Sequence, residues 1–197
     1  MTLDPIAMLK PKRTITGMSA ILLPFQENGA IDWDGFADHV ERTVAAGLTP
    51  AINMDTGFGN LIDDDTKAKA LKVTGAITGR KQCIAGAFVG DAAGAEFDLD
   101  AYRRAIDPIL KGGETPIVFQ SHGLTAQPGP EIVESYRRIG DHCGRFLGFE
   151  LSRQFRPVRR YLRPRHLRGT ARCEGVHRGQ ALLIAPRRRM AAARIAR

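Results

Sequence analysis

Residues 17–25 read Gly-Met-Ser-Ala-Ile-Leu-Leu-Pro-Phe, an apolar run that begins at a glycine and meets a proline near its end. Short apolar runs bounded in this way are typical of a β-strand, here residues 17–23. A turn follows at residues 27–29, Glu-Asn-Gly, after which Asp32 or Asp34 can cap a helix that Gly47 ends. The stretch therefore predicts a strand, a turn and a helix in succession.

The same alternation of apolar and amphipathic segments continues to about residue 150. Each repeat is roughly 30 residues long, the usual length of a strand with its crossover helix. Alternation of this kind predicts an α/β fold with a parallel sheet, and by itself it fits either a barrel or a doubly wound open sheet. A loop rich in glycine and proline is expected over residues 121–130. The further predicted strands are residues 48–54, 82–88, 115–119 and 146–151.

Charge divides the chain near residue 151. Residues 1–150 contain 15 lysines and arginines and 20 acidic residues, whereas residues 151–197 contain 14 arginines, no lysine and one acidic residue, Glu174. We therefore predict a folded domain over residues 1–151 and an irregular arginine-rich tail over residues 152–197, because the tail has no sustained helical or strand period.

The overall composition, 43% hydrophobic and 25% charged, is that of a globular protein. No apolar run approaches the roughly 18 residues that a membrane span needs, and no signal peptide is recognisable, so we expect a cytoplasmic protein without a membrane partner. Cys83, Cys143 and Cys173 form no CxxC pair, so neither disulfides nor a zinc site are expected. No motif indicates a metal or an organic cofactor.

Local motifs favour the barrel over the open sheet. The first strand ends in Leu-Pro-Phe at residues 23–25 and is followed by Asn-Gly-Ala-Ile-Asp at residues 28–32. The second strand leads into Asp-Thr-Gly at residues 55–57, before an acidic helix start at residues 63–65. In order and spacing these motifs resemble the dihydrodipicolinate synthase and N-acetylneuraminate lyase family. The resemblance covers about residues 15–151 and implies the front part, strands 1–5, of a TIM (β/α)8 barrel.

This resemblance also implies an activity. Members of the family are class I aldolases and lyases that act on pyruvate or a related 2-keto acid, and they are commonly homotetramers. A lysine on strand six forms a Schiff base with the keto carbonyl, which then serves as an electron sink. A tyrosine on strand five and hydroxyls after strand two relay the proton, and a Gly-Thr-Thr-Gly-Glu loop after strand two binds the keto-acid carboxylate. All of these groups lie at the carboxyl-terminal rim of the barrel.

Carried over residue by residue, the resemblance gives an incomplete site. Thr56 and Gly57 match the second threonine and the glycine of the carboxylate-binding loop, whereas Asp55 replaces a threonine and Phe58 replaces the glutamate. The charge of Asp55 would repel an anionic substrate. Phe149 falls near the strand-five tyrosine and cannot relay a proton. We predict Asp55, Thr56 and Gly57 as substrate-binding residues and Thr56 as catalytic.

His122 is the other catalytic candidate. It lies just after the fourth predicted strand, hence at the same rim, and histidine is the residue type best suited to acid–base work near neutral pH. The competing interpretation is a loop histidine without chemistry, just as Thr56 can be an ordinary turn residue. A metal-dependent barrel enzyme with Asp55 and His122 as ligands is a further hypothesis, although no metal-ligand spacing supports it.

The chain contains no lysine after Lys111, so nothing in it can fill the Schiff-base role on strand six. A complete barrel also needs about 250 residues, and strands six to eight are missing. We therefore expect a truncated, inactive member of the family. Its half-barrel would leave strand edges and an apolar interior exposed.

Codon degeneracy offers an origin for the tail. Arginine, alanine, proline and glycine have GC-rich codons, as expected when a GC-rich gene is read out of frame. Codons can be chosen for residues 176–183 that, when translated from one base later, encode Cys-Ile-Gly-Ala-Lys-His-Ser. Codons for residues 161–168 can be chosen in the same way to encode Ile-Tyr-Asp-Leu-Asp-Thr-Tyr-Glu. The first would be a sixth strand with the family's Gly-x-Lys, and the second an acidic helix start. We therefore hypothesise a one-base shift near residues 152–155.

The alternative function is a non-catalytic α/β domain whose arginine tail binds nucleic acid through phosphate contacts. Natural basic arms usually mix lysine with arginine, and this one has no aromatic interleaving beyond Phe155 and Tyr161. A small-molecule 2-keto acid is therefore the expected partner, and nucleic acid is not.

Overall fold

The structure is a computed structural model that describes Lys12, residues 16–79 and 83–149, and the backbone of Leu182–Ile184. A 3₁₀ turn, Asp55–Gly57, lies between the second strand and the second helix. No helix in these ranges is long and apolar enough to cross a membrane. In chain order the elements are β1 (Met18–Ala20), α1 (Trp33–Ala45), β2 (Thr49–Ile52), α2 (Asp64–Thr78), β3 (Ile84–Ala87), α3 (Leu99–Gly112), β4 (Thr115–Phe119), α4 (His122–Thr125), α5 (Gly129–Cys143), β5 (Phe146–Phe149) and β6 (Leu182–Ile184).

Strands β1 to β5 are all parallel and pair in sequential order. The register places Met18 beside Thr49 and Phe119 beside Phe149. A doubly wound sheet reverses its strand order at a switch point, and no reversal occurs across these five strands. The order is that of the front part of a TIM barrel, which confirms the predicted α/β fold with its strands 1–5.

Aspartates cap three of the crossover helices. Asp32, Asp63 and Asp98 each accept a hydrogen bond from the backbone N–H three residues later, at 2.9, 2.7 and 2.9 Å. A cap of this kind typically contributes about 1 kcal/mol. Helix α1 thus starts from Asp32 rather than Asp34, and Gly47, with a φ of 72°, follows its end as predicted.

The main core lies between the sheet and the helices. Ile52 of β2 packs in it together with Val40 of α1 and Ile106 of α3, and all three side chains are fully buried. The hydroxyl of Tyr102 donates to the backbone carbonyl of Phe119 at 2.9 Å, which ties α3 to the carboxyl end of β4. Burial of this layer holds the strand ends at which a barrel enzyme builds its site.

A second, smaller core lines the inner face of the sheet. The expectation of an exposed interior is wrong across β2–β5, because neighbouring strands bring these apolar side chains close enough to pack on one another. The same expectation is correct at β1 and just after this strand, where Met18 is 46% exposed and Leu22 is 54% exposed. The inner-face side chains that are at most 5% exposed are Ala51, Met54, Ile84, Ile117, Phe119 and Leu147.

Two elements differ from the sequence-based expectation. The predicted loop over residues 121–130 contains α4, because the hydroxyl of Ser121 accepts the N–H of Leu124 at 3.2 Å and starts a helical turn. Within the predicted irregular tail, Leu182–Ile184 form β6, which pairs antiparallel with β5. A sixth barrel strand would be parallel, so β6 does not continue the barrel. The rest of the predicted tail lies outside the described residues.

Burial makes the two described cysteines poor nucleophiles. Burial raises the pKa of the Cys143 thiol to about 11, and burial together with the nearby charge of Glu114 raises the pKa of Cys83. Because the thiolate is the reactive form, both thiols of a Cys173→Ser variant should react with a disulfide reagent near pH 8 at least about 100-fold more slowly when folded than in denaturant. Similar rates in the two states would contradict the burial of these side chains.

Candidate active site

The carboxyl ends of β1–β4 open into four loops on one rim of the sheet, because the strands are parallel. The predicted site residues lie in two of these loops: Asp55, Thr56 and Gly57 form the 3₁₀ turn after β2, and His122 begins α4 after β4. One strand separates the two loops, which corresponds to about 10 Å between their backbones. The structure therefore places all four residues on one rim, in the two loops that flank the loop after β3.

The loop after β2 turns sharply at Asn53. Its φ of 51° is left-handed, which asparagine tolerates better than most residues, and its side-chain amide donates to the carbonyl of Lys67 at 3.3 Å. The N–H groups of Gly57 and Gly59 then both donate to the carbonyl of Met54, at 3.0 and 2.8 Å. These bonds hold the loop in a compact turn directly after the strand.

Gly57 is buried where this loop meets β1. A Cβ at position 57 would lie 2.8 Å from the carbonyl oxygen of Ile21, closer than real Cβ atoms approach a backbone oxygen. Only glycine lets the turn pack this closely on its neighbour. The contact that the structure gives Gly57 is therefore with the backbone just after β1, and its contact with a substrate stays a prediction.

Thr56 is the exposed residue of the turn. Its N–H donates to the carboxylate of Asp55 at 3.1 Å, and the N–H of Phe58 donates to the Asp55 carbonyl, also at 3.1 Å. An incoming carboxylate would therefore meet the Thr56 hydroxyl rather than a row of backbone N–H groups. The negative charge of Asp55 lies beside that hydroxyl, which disfavours binding of an anion there.

Asp91 holds His122, although no motif in the sequence marks this aspartate. The two carboxylate oxygens of Asp91 accept the backbone N–H groups of His122 and Gly123, both at 2.7 Å. Such short bonds to a charged acceptor are among the stronger hydrogen bonds in proteins. They tie the loop after β3 to the start of α4 and so position the half-buried His122. The only sequence signal was the place of Asp91 shortly after a predicted strand.

A row of phenylalanines crosses the inner face at the carboxyl ends of β3, β4 and β5. The ring of Phe88 stacks on that of Phe119 with centroids 3.8 Å apart, and the ring of Phe149 lies 4.7 Å from Phe119 on the other side. Phe88 and Phe149 are each partly exposed. Phe149 ends β5, the strand on which the resemblance expects a tyrosine, so this position offers a ring face but no hydroxyl.

The described residues supply no Schiff-base amine on the sheet and no metal cluster. No three His, Cys, Asp or Glu side chains among them come together to hold a metal ion, so the pair Asp55 and His122 gains no third ligand there. The lysines of the described helices belong to the outer layer: Lys67, Lys69 and Lys72 on α2, and Lys111 on α3.

Comparison with solved structures relates the half-barrel to known enzymes. The 4-hydroxy-tetrahydrodipicolinate synthase from Methylacidiphilum fumariolicum SolV matches with a TM-score of 0.56 at 16% identity, covering 74% of this chain and 46% of that one. Dihydrodipicolinate synthase from Bacillus clausii matches with a TM-score of 0.53 at 16% identity, covering 69% and 45%. A 2-keto-3-deoxygluconate aldolase variant from Sulfolobus solfataricus matches with a TM-score of 0.50 at 16% identity, covering 65% and 41%.

The chain therefore spans less than half the length of the structures it matches. At this identity the likeness shows the fold alone, which is that of the front part of a TIM barrel. No protein-family model and no curated protein sequence matches the chain.

The close approach at Gly57 predicts a position-specific loss of stability. Gly57→Ala should lower the free energy of unfolding by about 1–3 kcal/mol, because the added methyl group overlaps a backbone oxygen that cannot rotate away. Gly90→Ala is the matched control, since a Cβ there meets nothing within 4 Å. That variant should stay within about 0.5 kcal/mol of the parent in urea denaturation. Equal losses in the two variants would contradict the packing of the turn on β1.

Removal of the Asp91 carboxylate should destabilise the rim. Asp91→Ala leaves two partly buried N–H groups without their acceptor, and we expect a loss of about 2–3 kcal/mol in the free energy of unfolding. Asp100→Ala, which removes an exposed carboxylate paired with Arg103 at 2.9 Å, is the control and should cost less than about 1 kcal/mol. A cost for Asp91→Ala no larger than that of the control would show that these bonds do not hold α4.

Proposed function

We propose that the protein belongs to the dihydrodipicolinate synthase and N-acetylneuraminate lyase family and derives from a lyase or aldolase that acts on a pyruvate-like 2-keto acid through a Schiff base. One observation carries the proposal. The Asp55–Gly57 turn, with Thr56 exposed, stands at the carboxyl end of the second strand of a sequentially ordered parallel half-barrel. That is where the carboxylate-binding loop of such an enzyme lies.

The rim residues then have distinct roles. The Thr56 hydroxyl donates to the keto-acid carboxylate against the repulsion of Asp55 and passes a proton, while Gly57 shapes the loop around it. His122, held through its backbone by Asp91, acts as the acid–base group on the opposite side of the substrate. A lysine amine attacks the keto carbonyl and expels water, and the resulting protonated imine withdraws electrons from the neighbouring carbon–carbon bond.

The chain as written does not contain that lysine, since none follows Lys111. Our proposal therefore includes a one-base shift in the gene near the codons for residues 152–155. Residues 1–151 are then the family domain, and residues 152–197 are a tail read out of frame. The active form would be a cytoplasmic protein, a homotetramer in keeping with the resemblance, and the present chain would be inactive.

The reading-frame hypothesis makes a sharp prediction about the gene. For the shifted frame to encode lysine across Gln180 and Ala181, the codon of Gln180 must be CAA, because CAG would give arginine instead. The preceding glycine of the strand-six motif further requires CGG or AGG for Arg178. Sequencing of codons 150–185 decides the matter. A CAG codon at position 180, or a stop in the shifted frame before it, would remove the hypothesis.

Trapping with pyruvate and borohydride tests the chemistry. The frame-restored protein should gain the mass of one reduced pyruvate, because borohydride fixes a Schiff base as a stable amine. The present chain and a restored protein with arginine in place of the restored lysine are the controls, and neither should gain this mass. An adduct of equal yield in the arginine variant would show that the reaction occurs at ordinary surface lysines and would contradict the proposal.

A nucleic-acid-binding arm is the second candidate, based on the 14 arginines after residue 151. If this candidate is correct, the present chain binds DNA or RNA, and its affinity falls steeply with added salt because phosphate contacts release counterions. A matched chain that ends at residue 151 and binds equally well would exclude the arm as the cause.

A further inference from the structure

We infer that the 2-keto acid for this site has a neutral, apolar or aromatic tail rather than a second carboxylate. The inference rests on the proposed function, whose keto-acid head group it takes as given. It is carried by the row of phenylalanines on the inner face together with the charge of the rim above it.

The inner-face rings form an apolar surface that reaches the loop after β2, where a Cβ at Gly59 would lie 2.9 Å from the Phe88 ring. Phe88, Phe119 and Phe149 lie at the carboxyl ends of adjacent strands, and Phe119 contacts the other two with centroids 3.8 and 4.7 Å apart. Phe119 is buried, whereas Phe88 and Phe149 keep part of their surface exposed at the carboxyl ends of β3 and β5. A phenyl or alkyl group can bury its surface against such rings. A phenyl group also gains the favourable free energy of ring–ring contact, which exceeds that expected from the buried area alone.

A second pair of rings lies on the same rim, in the loops after β1 and β2. Phe58 stands where the resemblance expects a glutamate, and its ring contacts that of Phe25 edge to face at 5.7 Å. Both rings and the side chain of Leu22 are exposed on the rim. The position that would present a carboxylate in the family thus presents a hydrocarbon ring here.

The charge of the rim disfavours an anionic tail. The rim loops after β1–β4 cover residues 21–32, 53–63, 88–98 and 120–128, and none of them contains a lysine or an arginine. A second carboxylate on the substrate would lose its hydration without gaining a cationic partner from these loops, and it would face like charges. The acidic residues in these loops are Glu27, Asp32, Asp55, Asp63, Asp91, Glu96 and Asp98.

Two ligands with the same head group and different tails test the inference. 2-Oxo-4-phenylbutanoate and 2-oxoglutarate share the keto-acid head and differ by a phenyl ring against a carboxylate. In titration calorimetry of the full 197-residue chain, the phenyl ligand should bind with a dissociation constant at least about 10-fold lower. The inference is overturned by equal or tighter binding of 2-oxoglutarate, and also by a lack of binding of either acid.

Substitutions of the phenylalanines test where the phenyl ligand binds. Phe88→Leu and Phe149→Leu keep an apolar side chain but remove the ring, and each should weaken binding of the phenyl ligand by about 5- to 10-fold. Leu48→Ala, at an exposed apolar residue just before the amino end of β2, is the control and should leave the affinity unchanged. Unchanged affinity in both phenylalanine variants would overturn the assignment to this row.

Failure of this inference is distinguishable from failure of the proposed function. A pyruvate adduct in the frame-restored protein without a preference for the phenyl ligand removes the inference alone. A ring-dependent preference for the phenyl ligand without any pyruvate adduct supports the apolar binding surface and removes the Schiff-base function.

Discussion

Parallel pairing of β1–β5 in sequential order is the constraint on which the rest of this structure depends. Parallel neighbours need a crossover that returns the chain to the same end of the sheet, and helices provide it here. All carboxyl ends therefore meet at one rim. For this reason Thr56 and His122, which are far apart in the chain, lie on one surface. Their placement follows from the strand order and needs no direct contact between them.

The inner face shows how a sheet that is not a closed barrel stabilises its interior. Side chains from neighbouring strands pack on one another, and Phe119 is covered from two sides by the rings of Phe88 and Phe149. These rings reach the rim, so the packing that buries the inner face also determines the chemical character of the surface above it. Burial of the inner face and the apolar character of this part of the rim therefore depend on the same side chains.

Much of the local structure was predictable because its causes are local. The caps at Asp32, Asp63 and Asp98 depend on residues three positions apart, and the strand Thr115–Phe119 was predicted with its observed bounds. Helix α4 also has a local signal, the capping hydroxyl of Ser121. The glycines and prolines up to residue 130 indicate a loop and outweigh this single capping signal.

By itself the sequence determined the α/β alternation, the position of the candidate loop at Asp55–Gly57, the break in charge near residue 151 and the lack of any lysine after Lys111. Only the tertiary structure decided that Asp91 holds the start of α4, that the inner face of β2–β5 is buried, and that β6 pairs antiparallel. The physical reason is the same in each case. Helix caps and hydrophobic periodicity depend on residues close together in the chain. The contacts named here depend instead on which strands the sheet places side by side.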